Sequence, residues 1–167
     1  MIKNCERGFT LVELLIVIAI MSILTVITAS QFTSAQRKAK DVQRKGDLSS
    51  LSKALQMYYA DYGVFPENIN GYFDSEKWGA EFKDINEEYV YMKVLPRESR
   101  LEETSPYCYV VSGDRKAFGL FAMLENTSDG ECKLDEGGHG LYSHCNNASA
   151  YCYSIVSPNT TVDGLSD

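Results

Sequence analysis

From Leu14 to Gln36 the chain carries no Asp, Glu, Lys or Arg, a run of 23 residues. At about 1.5 Å of rise per helical residue, such a run covers the roughly 30 Å hydrocarbon core of a bilayer. One carboxylate, Glu13, stands at its edge, in the stretch ERGFTLVELLIVIAIMSIL that begins at Glu6. A charged side chain within a lipid-embedded helix costs about 3 kcal/mol on insertion scales and normally faces a partner. The run itself holds no Lys, Arg or His to pair with it. Three readings follow. Glu13 sits hydrated at the membrane surface; it relays protons, for which one acid on one span is poorly suited; or its partner is the positive end of another copy of the chain.

The run is longer than the apolar stretch of roughly 7–15 residues in a secretory signal, and no A-x-A cleavage motif closes it, so it reads as a helix that stays on the protein. Lys3 and Arg7 on the short side favour an N-terminus left in the cytoplasm, although the basic RKAK beyond the run opposes that orientation. A net charge of −7 disfavours grip on nucleic-acid phosphates. The charge is uneven, because RKAKDVQRKGD is basic and the acidic excess follows it. That basic run reads as a contact for lipid head groups or for acidic faces of neighbouring subunits.

Beyond the apolar run, Val42, Leu48, Leu51, Leu55, Tyr58 and Tyr62 recur at helical spacing. No proline falls between Phe9 and Phe65, and Gly63 followed by Pro66 supplies a stop. The pattern predicts one helix over about 10–62, on the order of 80 Å long. Its first half faces lipid or other helices, and its second half docks a domain. Residues 67–100 read as loops with one short helix near 76–90, in which Trp78 and Phe82 pack the segment on the long helix. Tyr107–Val111 and Ala117–Leu124 read as a hairpin turned by SGDRK, with a third strand at 150–157. Residues 125–149, with Gly130, Gly137, Gly138 and Gly140, read as a long excursion. The fold class is α+β, a long N-terminal helix packed on a small antiparallel sheet.

A cut after Gly8 would place a new α-amino group on Phe9, four residues from Glu13. In a stack of such helices, the Glu13 of one copy meets the terminal amine of its neighbour, which sets register in an otherwise slippery apolar bundle. The stretch RGFTLVELLIVIAIMSIL closely resembles the class III signal of type IV pilins and of the pseudopilins of type II secretion systems. The shared features are a short charged leader ending in Gly, then Phe, Glu at the fifth residue after the cut, and an apolar helix. LSSLSKALQMYYADYGVFP, 48–66, is similar to the segment that closes the first helix in pseudopilins and small pilins. The resemblance implies a leader over 1–8, a long helix over 9–62 and a globular domain over 63–167. It implies cleavage between Gly8 and Phe9 by a prepilin peptidase, N-methylation of Phe9, and pairing of Glu13 with a neighbouring N-terminus in a helical filament. The implied partners are further copies of the chain, the membrane, the peptidase, and an inner-membrane assembly platform with its ATPase. Many pilins carry a helix-bending proline 22 residues after the cut; here that position is Ser30.

Cys108, Cys132, Cys145 and Cys152 form an even set beyond the apolar run, and read as two disulfides of an oxidising compartment. Three pairings are possible. The YCY triplets at 107–109 and 151–153 lie in strand candidates, and the expected pairing is Cys108–Cys152 with Cys132–Cys145. In the pilin family a disulfide often bounds the C-terminal variable loop, which agrees with Cys132–Cys145. Asp129, Glu131, Asp135 and Glu136 are calcium candidates, since the resemblance implies a calcium site here in major pseudopilins; their spacing is not that of an EF-hand. Otherwise no cofactor is expected. His139, His144 and Cys145 make a weak zinc set, because the Cys is expected to be oxidised. No P-loop, G-x-G-x-x-G or G-x-S-x-G motif occurs, and no catalytic residue is assigned.

The expected function is that of a structural subunit of a type IV pilus-like filament, held in the cytoplasmic membrane by a single pass and then extracted into an extracellular filament. The alternative within the class is a pseudopilin of a secretion or competence system, forming a periplasmic pseudopilus. The alternative outside it is a signal-anchored extracellular enzyme or binding module that never polymerises.

Overall fold

The computed structural model describes residues 9–69, 72–73, 78–84, 86, 88–97, 107–140 and 151–165. Gly8, His144 and Cys145 therefore lie outside the described residues, and side chains at 27–30, 69, 72–73 and 163–164 are not described. The chain divides into two compact units, Met1–Ala39 and Lys40–Asp167. Helix α1 runs Leu11–Tyr62 and contributes to both. It passes through Ser30 without a break, as the lack of a proline there leads one to expect.

In the first unit every described side chain from Phe9 to Val26 is exposed. Two polar groups in this apolar stretch are satisfied within the helix itself. The Ser22 hydroxyl donates to the Ile18 carbonyl at 2.7 Å and the Thr25 hydroxyl to the Met21 carbonyl at 2.8 Å. Such back-bonding leaves little polar surface for lipid to contact.

The second unit is built on a three-stranded antiparallel sheet of order β5-β6-β7, with β5 at Tyr107–Val111, β6 at Phe118–Ala122 and β7 at Tyr153–Val156. Two short antiparallel pairs precede it, β1 Asn68–Ile69 with β2 Tyr72–Phe73, and β3 Phe82–Lys83 with β4 Val90–Met92. A 3-10 turn, η1, covers Val162–Leu165. Strand residues alternate between faces, and both faces of the sheet are covered, so all of β5 and β6 is buried. Tyr107, Tyr109, Val111, Phe118, Leu120 and Ala122 join Leu48, Leu51, Leu55 and Tyr58 of α1 in the main core. Cys108, Val110 and Phe121 form a second cluster with Tyr151 and Leu165. Gly119 leaves room for Leu165, whose Cδ1 a Cβ at this position would strike.

The hairpin turn holds the end of α1. Arg115, in the left-handed region at φ 56°, accepts the Phe65 N–H at its carbonyl at 2.9 Å, and its Nε donates to the Phe65 carbonyl at 2.7 Å. Lys116 Nζ donates to the Gly63 carbonyl. Tyr109, buried, donates to the Pro66 carbonyl at 2.7 Å.

Two expectations are corrected. Among the described residues of 76–90 there is no helix: Trp78 lies in a turn and Phe82 opens β3. Both rings are buried nonetheless, Phe82 against Tyr58 and Trp78 against Tyr107. The inward stripe of α1 also differs at its start. Val42 is 69% exposed, whereas Asp41 and Arg44 are buried. The core-facing positions are 41, 44, 48, 51, 55 and 58, so the helical period continues inward through charged residues. The Asp41 carboxylate accepts the backbone N–H groups of Glu125 and Asn126 at 2.9 and 2.8 Å, and Arg44 Nη1 at 3.1 Å.

Removing a buried charge partner strands the other charge, at a cost of roughly 3–5 kcal/mol. Asp41→Ala is therefore expected to destabilise the second unit by about that much, and Val42→Ala by under about 0.5 kcal/mol. Denaturant titration of the detergent-solubilised chain, followed by Trp78 fluorescence, checks both; equal losses would disprove the corrected stripe.

Candidate functional site

The N-terminus of α1 is closed by its own side chains. Thr10 N–H donates to Glu13 Oε2 at 2.9 Å, the Thr10 hydroxyl donates to the same oxygen at 2.9 Å, and Glu13 N–H donates back to Thr10 Oγ1 at 3.2 Å. Leu14 N–H then reaches the Thr10 carbonyl at 3.3 Å, the first bond of the helical ladder. Thr10 is thus the N-cap and Glu13 the third helical residue of a reciprocal capping box. A carboxylate in this place also complements the positive end of the helix dipole. Phe9, directly ahead of it, is 84% exposed. Glu13 Oε1 accepts no hydrogen bond among the described residues, so the cap occupies one of the two carboxylate oxygens. Thr10 was not singled out from the sequence, although T-x-x-E ahead of an apolar run is the signature of this cap.

The segment after β6 is gripped by the basic run of α1. Lys40 Nζ and Arg44 Nη2 each lie 3.0 Å from Glu125 Oε1. Lys45 Nζ lies 2.8 Å from Asp129 and 2.6 Å from Glu131, and stands 5.2 Å above the centre of the Tyr153 ring. Burial opposes the Lys45 charge, yet the two carboxylates hold its pKa above the ordinary lysine value. The Lys45 hydrogen bond holds Asp129 below the usual carboxylate range. At Glu125 burial pushes upward, and Lys40 and Arg44 outweigh it, so its pKa is also lowered.

This arrangement separates the calcium candidates. Asp129 and Glu131 are taken by an ammonium. Asp135 instead shapes a tight turn, accepting the His139 N–H at 2.8 Å opposite Gly138 at φ 78°. Glu136 is exposed. Among the described residues no group of three or more His, Cys, Asp or Glu side chains is placed to hold a metal ion.

The disulfide expectation is corrected as well. Cys132 is bonded to Cys152, with Cα atoms 4.7 Å apart, so neither Cys108–Cys152 nor Cys132–Cys145 forms. The reason is topological. β6 lies between β5 and β7, which sets Cys108 and Cys152 about two strand spacings apart, roughly 10 Å, beyond disulfide reach. Cys108 is itself disulfide-bonded, and Cys145 is outside the described residues. The Cys132–Cys152 bridge, with the Lys133 N–H donating to the Cys152 carbonyl at 2.6 Å, fastens the gripped segment to the entry of β7.

Comparison with known proteins agrees with the sequence motif. Residues 3–29 match the family model of the prokaryotic N-terminal methylation motif. The chain is 27% identical over 131 residues to the type II secretion system core protein G of Pseudomonas aeruginosa, covering 77% of this chain and 89% of that protein. It is 28% identical to the core protein G of Vibrio cholerae, over 81% of this chain and 86% of that one. It is 37% identical to the type IV major pilin protein PilA of Myxococcus xanthus, over 39% of this chain and 30% of that one. No solved structure gives a significant match.

Glu125 and Asp129 have lowered pKa values, so the stability they contribute is fully present above their ordinary range, near 4.5 and 3.8, and is lost as pH falls through the lower folded-state values. The Tm of the second unit is expected to hold from pH 7 to about 5 and fall steeply below about 4. Lys45→Met should flatten the Asp129 part of that fall; an unchanged profile in a thermal melt series would count against the clasp.

Proposed function

We propose that this chain, which belongs to the family of type IV pilins and type II secretion pseudopilins, is a structural subunit of a pilus-like filament, polymerised through its N-terminal helix. The observation that carries this reading is Glu13 at the head of an exposed apolar helix, next to a Gly8–Phe9 junction. Cleavage there by a prepilin peptidase frees the Phe9 amine, which becomes N-methylated. The amine of one copy then meets the Glu13 of the next. An apolar bundle supplies attraction without register, and a single buried ion pair supplies register because any slip leaves both charges unpaired.

The span from Leu14 to Gln36 holds the chain in the cytoplasmic membrane before assembly, with Lys40–Asp167 outside it in an oxidising compartment where Cys132–Cys152 persists. The assembly platform and its ATPase supply the work of extraction. A head-to-tail contact that does not close on itself propagates into a helical filament. One observation favours a secretion pseudopilus over a surface pilus: the relatives matched along most of the chain are core proteins G of type II secretion systems, whereas the type IV major pilin matches 39% of it.

Sequencing of the N-terminus from membranes is expected to begin at methylated Phe9; retention of residues 1–8 would instead indicate a signal-anchored module. Glu13→Ala is expected to insert and be cleaved normally, yet to yield at least about tenfold fewer filaments by electron microscopy. Abundant filaments from that variant would overturn the pairing.

A further inference from the structure

The clasp uses only part of the basic run. Lys40, Arg44 and Lys45 bind acidic side chains of their own chain. The side chains of Arg37 and Lys38 are exposed and form no ion pair or hydrogen bond among the described residues. Within the second unit, the last turns of α1 and the β3–β4 pair enclose an open cleft of about 630 Å³. Its walls include Asp61, Tyr62, Asp84, Tyr89 and Tyr91, and among the described residues no Lys, Arg or His lines it.

The acids and rings are held in place by one another. Tyr62 donates to Asp84 Oδ2 at 2.9 Å and Tyr91 donates to Asp61 Oδ2 at 2.6 Å, so helix and hairpin exchange a tyrosine for an aspartate in each direction. The Tyr89 N–H holds Asp84 Oδ1 at 3.0 Å. The rings form a continuous array, with Tyr58–Tyr62 centroids 4.7 Å apart, Tyr58–Tyr91 5.4 Å and Tyr89–Tyr91 4.9 Å. Tyr89 is half exposed, and Asp61 Oδ1 accepts no hydrogen bond among the described residues.

Aromatic faces and two carboxylates share one electrostatic preference. Both attract a cation, and a desolvated anion would be repelled. An apolar occupant would strip water from the carboxylates without replacing its hydrogen bonds. A bare divalent ion needs several converging oxygens, and the described residues offer no such group. What remains is an ammonium or guanidinium on an apolar stem, whose methylenes lie on the rings while the head meets the acids.

We propose that this cleft receives the Arg37 or Lys38 side chain of a second copy of the chain. The unused cations and the cation-seeking cleft are complementary surfaces on one sequence, and a heterologous contact between them propagates instead of closing. The inference rests on the filament reading and adds a second contact between copies to the one at Glu13.

Two measurements test it. With Arg37→Gln and Lys38→Gln combined, the amount of membrane-inserted, cleaved chain is expected to stay unchanged while filaments fall at least about fivefold. Wild-type filaments alongside equally abundant variant filaments would overturn this inference alone. A wild-type chain that never forms filaments would overturn the filament reading together with the second copy as the source. In the second measurement, Tyr89 and Tyr91 ring resonances of the detergent-solubilised full chain are followed while N-acetyl-lysine or N-acetyl-arginine methylamide is added. Saturable shifts are expected with both, absent with the norleucine analogue, and about fivefold weaker in Asp61→Asn. No saturable shift, or an equal one with norleucine, would show that the Tyr–Asp pairs serve only to pin the hairpin, and would sink the proposal.

Discussion

The second unit is organised around one buried carboxylate. Asp41 lies on the inward face of α1, where the helical period calls for an apolar residue. It accepts two consecutive backbone N–H groups from the segment leaving β6 and one guanidinium from its own helix. A buried charge is tolerable only when its acceptor positions are filled, and here the partners come from a part of the chain more than eighty residues away. The carboxylate therefore couples the helix to the start of the excursion, and Arg44 carries the coupling on to Glu125. Lys45 extends it to Asp129 and Glu131, and the Cys132–Cys152 bridge closes it onto the sheet.

That chain of contacts changes the meaning of two charged segments. The basic run after the apolar span is spent largely within its own molecule, and the acidic segment is spent on it in turn. Of the basic run, Arg37 and Lys38 take no part in the clasp, and the tyrosine-lined acids Asp61 and Asp84 lie apart from it. At the opposite end of the helix the same economy applies to Glu13. One of its oxygens caps its own helix through Thr10.

The parts legible in the sequence were those with local causes. Tyr107–Val111 was expected and observed with the same limits, because β-branched and aromatic residues flank a turn that Gly and Asp permit. α1 starts at Leu11 and stops at Tyr62, where Gly63 takes a positive φ. The failures were failures of context. Val42 carries the apolar label, but Asp41 and Arg44 hold the inward positions, and only partners distant in sequence make that affordable. The 76–90 stretch has no strong period, and its strands are stabilised by rings packing on Tyr58 rather than by propensity. Thr10 differs, because its capping signal, T-x-x-E in TLVE at 10–13, is local and stands in the sequence itself.

By itself the sequence determined that this protein has an apolar helix with a carboxylate at its head, a helical continuation with a core-facing side, and a cysteine-containing sheet domain. Each of these follows from runs, periods and turn residues that act over a few positions. Only the tertiary structure decided which cysteines pair, which charges are buried and which charges meet. Those outcomes depend on strand order and on distances between residues far apart in the chain: with β6 between β5 and β7, Cys152 meets Cys132, and with the excursion folded against α1, the acids meet lysine and arginine.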